Sequence, residues 1–203
     1  MPTIPFHPPG VTYNGLHGTP NPTVAQVTAD LATTKQHFGH VRTYYPQYGG
    51  GAVDVGRSFW LSDGRAAPLL PLVDFIGANI YPAWDWTRAD GNNQPIGVTP
   101  DSGFNSFRDT WSQIQAKYPG RQIVVTETGW PTTFGPIGSQ QFPAGISNAR
   151  DYLNRVTAWA QAQQVVVCIH NMFDDQYGVD TSSAFNYHFG LIDNTGKPKG
   201  ILF

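Results

Sequence analysis

The chain has 203 residues, a formal net charge of −2 and only 13% charged residues, against about 25% in an average soluble domain. That balance excludes a nucleic-acid binder built on a basic stripe, and 40% hydrophobic content excludes a disordered chain. The single cysteine, Cys168, excludes an intrachain disulfide framework and a cysteine-built zinc site, and no run of about 20 apolar residues is present to span a membrane.

Gly10 to Leu16 reads as a short strand. Thr23 to Phe38 follows as a helix, with Val24, Val27, Leu31 and Phe38 as its apolar positions and Thr23 or Asn21 as its cap. His40 to Pro46 is a strand rich in Val, Thr and Tyr. The pattern then breaks at Gly49-Gly50-Gly51, and Arg57 to Leu61 is at best a weak strand. Asp74 to Pro82 is the next strand. Phe104 to Tyr118 is an amphipathic helix with Phe107, Trp111, Ile114 and Tyr118 on one face. Gln122 to Thr128 is a near-continuous apolar strand, as buried parallel strands are. Ser147 to Gln164 is a helix that Ser147 or Asn148 could cap. Val165 to Phe173 is a last buried strand that encloses Cys168, and Asn194 to Gly196 is a turn.

Strands alternating with helices imply a parallel sheet joined by right-handed crossovers. The predicted fold is α/β, a single (β/α) barrel-type domain that is shortened in its middle units. A full eight-unit barrel typically takes about 250 residues and rarely fewer than about 200. The weak stretch lies between residues 47 and 73, and open strand edges there need a cover. Either that segment or a second copy of the chain could provide it.

The chemistry concentrates at predicted strand ends, where parallel barrels place their sites. Glu127 stands in Val124-Val125-Thr126-Glu127-Thr128-Gly129-Trp130-Pro131 and is the only glutamate in the chain. It is either a structural carboxylate or a catalytic acid, base or nucleophile. The strand ending Asn79-Ile80-Tyr81-Pro82 is followed by Trp84, Asp85 and Trp86. Asn79, Tyr81 and Trp84 suit a sugar subsite, because pyranose faces stack on flat rings. Tyr44 and Trp130 follow two other strands and read the same way. The last strand runs into His170, then Asp174 and Asp175, which could bind sugar hydroxyls or tune Glu127. Arg42 could pair with Glu127. Neither a Gly-x-Ser-x-Gly elbow nor a His-Glu-x-x-His zinc motif is present. No cofactor and no metal site is expected.

Glu127-Thr128-Gly129-Trp130-Pro131 resembles the nucleophile motif of glycoside hydrolase family 17, the β-1,3-glucanases and glucanosyltransferases. Val41-Arg42-Thr43-Tyr44, Asp74 to Pro82, Phe173-Asp174-Asp175 and the run His188 to Asp193 with Gly196-Lys197-Pro198-Lys199 fall in that family's order. The resemblance implies a retaining glycoside hydrolase or transglycosylase acting on β-1,3-linked glucan, with Glu127 as nucleophile. It also implies a secreted or periplasmic location, although Met1 to Pro5 does not read as a secretory leader.

One departure stands against that pattern. The family's general acid is a Glu in an Asn-Glu pair, and this chain has neither the pair nor a second Glu. A retaining mechanism needs a second carboxyl about 5–5.5 Å from the nucleophile, an inverting one a carboxyl about 6.5–9.5 Å away. Asp85, Asp174 and Asp175 are the candidate donors, with Asp63 a further one. The competing reading is a pseudoenzyme that holds glucan without cutting it.

Overall fold

The computed structural model describes residues 10–13, 23–38, 41–43, 60–62, 70, 75–82, 99–133, 136–137, 140–141, 143–175 and 187–202. The elements in chain order are β1 (Gly10–Tyr13), α1 (Val24–His37), β2 (Val41–Thr43), β3 (Ile76–Asn79), α2 (Pro100–Lys117), β4 (Ile123–Thr128), β5 (Pro136–Ile137), β6 (Gln140–Gln141), α3 (Ile146–Gln163) and β7 (Val167–Ile169). β5 and β6 form a small antiparallel pair of their own. The other five strands make one sheet in the order β2-β1-β7-β4-β3, with every pairing parallel.

That order is the chain order with one wrap-around. β3, β4 and β7 run in sequence, and β7, the last strand, then pairs with β1, the first: Gly10 faces Cys168 and Val11 faces Ile169. A sheet wound outward in two directions from a central strand reverses its order at a switch point. This one does not reverse.

The strands form where the apolar runs predict. Val11, Ile76, Ala78, Val125 and Ile169 have no exposed surface. The helices form where apolar side chains recur at three- and four-residue steps. α2 buries Gly103, Phe107, Thr110 and Ile114. α3 buries Ala149, Tyr152, Leu153, Val156 and Ala160. Thr23 starts α1 and Thr99 starts α2, each with a reciprocal capping box to the third residue on.

Three sequence expectations need correction. Neither Ser147 nor Asn148 caps α3: its cap is Gly145, at φ 130°, with no side-chain bond. Asn148 instead donates to the Pro143 carbonyl at 2.8 Å, which ties the preceding loop to the helix. Leu31 is not a core residue, because α1 leaves it exposed. Trp60 and Leu61 are helical rather than extended.

Trp60 explains how one edge of the sheet is protected. The Ile76 and Ile80 N–H groups bond across to β4, at Gln122 O and Glu127 O. The alternate Gly77 carbonyl therefore faces away from β4. The buried Trp60 indole donates to that carbonyl at 2.8 Å. Trp60 is held in turn through its own carbonyl, which accepts from Tyr118 at 2.7 Å and Lys117 at 2.9 Å. The Arg121 guanidinium adds a bond to Leu70 O at 2.7 Å. A strand edge closed this way offers fewer unpaired backbone groups to another chain.

Candidate active site

The site lies at the carboxyl ends of β3, β4 and β7. The β3–β4 register shifts by one residue between Ala78 and Asn79, so that Asn79 lies opposite Glu127 and Thr126 is skipped. Irregularities of this kind re-aim side chains near sites. Thr126 still reaches Asn79, its hydroxyl donating to the side-chain Oδ1 of Asn79 at 2.8 Å. Thr128 bonds Tyr152 of α3 at 2.6 Å through their hydroxyls, which locks the end of β4 to the helix layer.

Glu127 is buried, with 8% of its surface exposed. The Tyr81 hydroxyl donates to its Oε2 at 2.8 Å. A hydrogen bond from a neutral donor to a carboxylate in a half-dry site is among the stronger kinds. It fixes one oxygen and leaves the orientation of the other set by the same contact. The Tyr81 ring is held edge-on by His170 at 5.8 Å and by Phe189 at 5.7 Å between centroids. His170 and Phe189 also meet, at 5.7 Å. Two rings thus flank the phenol that holds the carboxylate.

Gly129 makes this packing possible. A Cβ there would collide with the carbonyl oxygen of His170 and lie 2.8 Å from the Phe189 ring. The Gly after Thr128 is therefore a requirement of close approach between β4 and the segment leaving β7.

That segment carries the site's polar support. The His170–Asn171 peptide bond is cis. His170 Nδ1 lies 3.0 Å from Thr12 Oγ1. The Thr12 hydroxyl donates to Asn171 Oδ1 at 3.2 Å, and the Met172 N–H donates to the same oxygen at 2.8 Å. Thr12 is fully buried in β1, and Asn171 is 1% exposed. Neither stands out in the sequence. The only signal is a polar residue inside an apolar strand, which acquires meaning once β1 is known to pair with β7.

The aspartates separate into distinct positions. Asp174 is buried, and both its oxygens are engaged by the chain itself. Oδ1 accepts from Lys199 Nζ at 2.6 Å and from the Gly190 N–H at 2.9 Å, and Oδ2 faces His188 Nδ1 at 3.3 Å. Lys199 is equally buried and also donates to Thr132 at 2.7 Å. Burial pushes the Lys199 ammonium down from the ordinary lysine range, against the opposing pull of Asp174. Asp174 thus anchors the C-terminal run. Asp175 is half-buried, and its Oδ1 accepts from Asn171 at 3.4 Å.

Trp130 needs correction as a sugar platform. It is 1% exposed and tilts against Tyr152 at 5.1 Å, with its indole N–H on Pro143 O at 3.1 Å. Its ring faces are spent in the core. Trp84, Asp85 and Asp63, with Tyr44 and the Arg42 side chain, lie outside the described residues. No group of three metal-ligating side chains occurs among the described residues, and no described helix is long and apolar enough to cross a membrane.

Neither a protein-family model nor a curated protein matches the sequence. Solved structures do match the fold. A glycoside hydrolase family 17 β-1,3-glucanosyltransferase from Rhizomucor miehei superimposes with a TM-score of 0.68 at 15% identity, over 96% of each chain. An active-site mutant of the Rhizomucor miehei β-1,3-glucanosyltransferase in complex with laminaritriose gives 0.66 at 15% identity, again over 96% of each chain. An endo-laminarinase from Formosa gives 0.55 at 17% identity, over 73% of this chain and 44% of that one. At these identities the likeness is one of fold: a parallel α/β sheet shared with glucan-active enzymes.

Proposed function

We propose that this chain is a retaining glycosidase or transglycosylase that acts on β-1,3-linked glucan, with Glu127 as its nucleophile. The observation that carries the reading is the placement of the chain's one glutamate. It sits at the carboxyl end of a buried parallel strand, held by a tyrosine hydroxyl, opposite Asn79. Carboxyl ends of parallel strands are where such folds put their reacting groups. The shared fold with glucan-active enzymes supports the substrate class. The Glu127 to Pro131 motif supports the role. The wrap-around pairing of β7 with β1 supports a barrel as the full architecture, with β2 and β3 as the strands next to the shortened middle.

In this reading one Glu127 oxygen attacks the anomeric carbon while Tyr81 holds the other, and a glycosyl-enzyme forms. Water or a second sugar hydroxyl then releases it. Incubation of the wild-type chain and Glu127→Gln with β-1,3-gluco-oligosaccharides, with products read by mass spectrometry, tests this. Products from the wild type, lost by several orders of magnitude in the variant, are expected. Equal turnover in both would remove Glu127 from the mechanism.

The absence of a second glutamate favours one other reading, a glucan-binding chain without turnover. Retained laminarin affinity with no product from either chain would select it.

A further inference from the structure

A glycosidase site needs a group that gives a proton to the leaving oxygen and later takes one from the attacking hydroxyl. Glu127 is the chain's only glutamate. Of the described aspartates at this end of the sheet, Asp174 is tied to Lys199, Gly190 and His188, and Asp175 bonds Asn171. Among the described residues, His170 is a further titratable group packed against the Tyr81 ring that holds Glu127, and its hydrogen bond to Thr12 defines which of its nitrogens titrates.

A backbone N–H can only donate, so the Asn171 atom that receives the Met172 N–H is the amide oxygen. The Thr12 hydroxyl, 3.2 Å from that oxygen, must then donate its one proton there. Its contact with His170 Nδ1 at 3.0 Å is left with Thr12 as acceptor and Nδ1–H as donor. Nδ1 therefore carries a proton in both charge states, and Nε2 is the nitrogen that gains and loses one.

We propose that His170 is the proton donor and acceptor of this site, acting through Nε2, with Thr12 and Asn171 as residues that position its ring. The proposal rests on the glycosidase reading and deepens it. Among the described residues, β1 presents the neutral Thr12 to the ring, the segment after β3 presents Tyr81, and the C-terminal run presents Phe189. Among the described residues, Tyr81 links the ring to Glu127 and Asn171 links its own segment to Asp175. Asp174, His188 and Lys199 bond one another.

The step balances without any outside reactant. A Glu127 oxygen forms a bond to the anomeric carbon as the glycosidic C–O bond breaks. The imidazolium Nε2–H passes its proton to the departing oxygen, which leaves as a neutral sugar hydroxyl. In the second step neutral Nε2 takes the proton of water or of an acceptor sugar as its oxygen bonds the anomeric carbon. The bond to Glu127 breaks, and carboxylate and imidazolium are restored.

The test uses two substrates on the full chain: a laminari-oligosaccharide, which needs protonation, and a 2,4-dinitrophenyl β-laminaribioside, whose leaving group does not. His170→Gln should lower oligosaccharide turnover by roughly 10²- to 10⁴-fold, the usual share of general acid–base catalysis. It should spare kcat/KM for the dinitrophenyl glycoside, whose first step needs no proton, while later turnovers slow because the second step has lost its base, and it should remove the basic limb of the pH profile. Glu127→Gln should lose both substrates. Equal loss of kcat/KM on both substrates in His170→Gln, or no loss, overturns the proposal while leaving Glu127 intact. So does selective loss in Asp85→Asn but not in His170→Gln. If Glu127→Gln keeps both activities, the glycosidase reading itself fails. A second measurement does not depend on the variant folding. Long-range ¹H–¹⁵N spectra of wild-type His170 should show Nδ1 protonated throughout and Nε2 titrating, and a neutral ring protonated on Nε2 overturns the assignment. In Thr12→Val that preference should weaken.

Discussion

Tyr81 donates one hydrogen bond to Glu127 and makes edge contacts to two rings, and Tyr81→Phe separates these roles. The rings keep their packing, while the carboxylate loses a bond of the kind worth about 1.5–3 kcal/mol. Under the proposed mechanism the same bond stabilises Glu127 as the leaving group of the second step. Turnover of β-1,3-glucan should therefore fall by roughly 10- to 100-fold, with the unfolding midpoint near that of the wild type. A large loss of stability instead would make Tyr81 a structural residue. Tyr13 offers a second residue-scale test. It is buried in β1 and donates to Asp30 at 2.9 Å. Burial first, and then the Asp30 contact, push its phenol above the ordinary tyrosine range. The folded chain thus holds a proton that the unfolded chain gives up from about pH 10. The stability this contributes is fully present below that pH and is lost as pH rises beyond it. Urea unfolding at pH 9 and pH 11 should show a larger loss for the wild type than for Tyr13→Phe.

At the scale of elements, residue identity and local structure agree closely where the periodic signal is long. Gln122 to Thr128 is predicted and Ile123–Thr128 is found. Phe104 to Tyr118 is predicted and Pro100–Lys117 is found, the extra turn coming from Thr99 as cap and Pro100 at the first helical position. Thr99→Ala removes the half of that capping box in which the Thr99 hydroxyl oxygen accepts from the Ser102 N–H, and should cost about 1 kcal/mol in denaturant unfolding; an unchanged midpoint would mean that packing alone fixes the helix start. The start of α3 was not legible, because the chain reaches it through a glycine at positive φ and leaves Asn148 to bond backward. The site residues divide in the same way. Asn79, Tyr81, Glu127 and His170 stand at strand ends and can be picked out as such. Thr12 and Asn171 are single polar residues whose meaning depends on the β1–β7 pairing, which local sequence does not specify. Trp130 misleads for the opposite reason. A ring after a strand end can turn outward to a ligand or inward to the helices, and Gly103 of α2 leaves room for it inside: a Cβ there would lie 2.6 Å from the Trp130 ring.

At the scale of the whole molecule, the C-terminal run is joined to the segment leaving β7 by backbone bonds, such as Ile192 N–H to Met172 O, and by a buried ion pair. Phe173 bridges to Ile192, Ile192 bridges to Pro198, and Lys199 reaches back to Asp174 and Thr132. Phe189, carried on the same run, forms a wall of the candidate site. The pair therefore connects stability to the site's shape. Two charges taken out of water are costly unless each satisfies the other, so removing one partner should be worse than removing both. Lys199→Met leaves Asp174 buried with only His188 and the Gly190 N–H, and should cost about 3–5 kcal/mol. Asp174→Asn combined with Lys199→Met should recover part of that loss. A double-mutant cycle by urea unfolding measures the coupling. If the run also shapes the site, Lys199→Met should lower glucan turnover even under conditions where the chain remains folded, because Asp174, which holds the Gly190 N–H next to Phe189, loses the ammonium that fixes it. Coupling near zero, with turnover unchanged, would mean instead that the bridges around Ile192 hold the run without the ion pair.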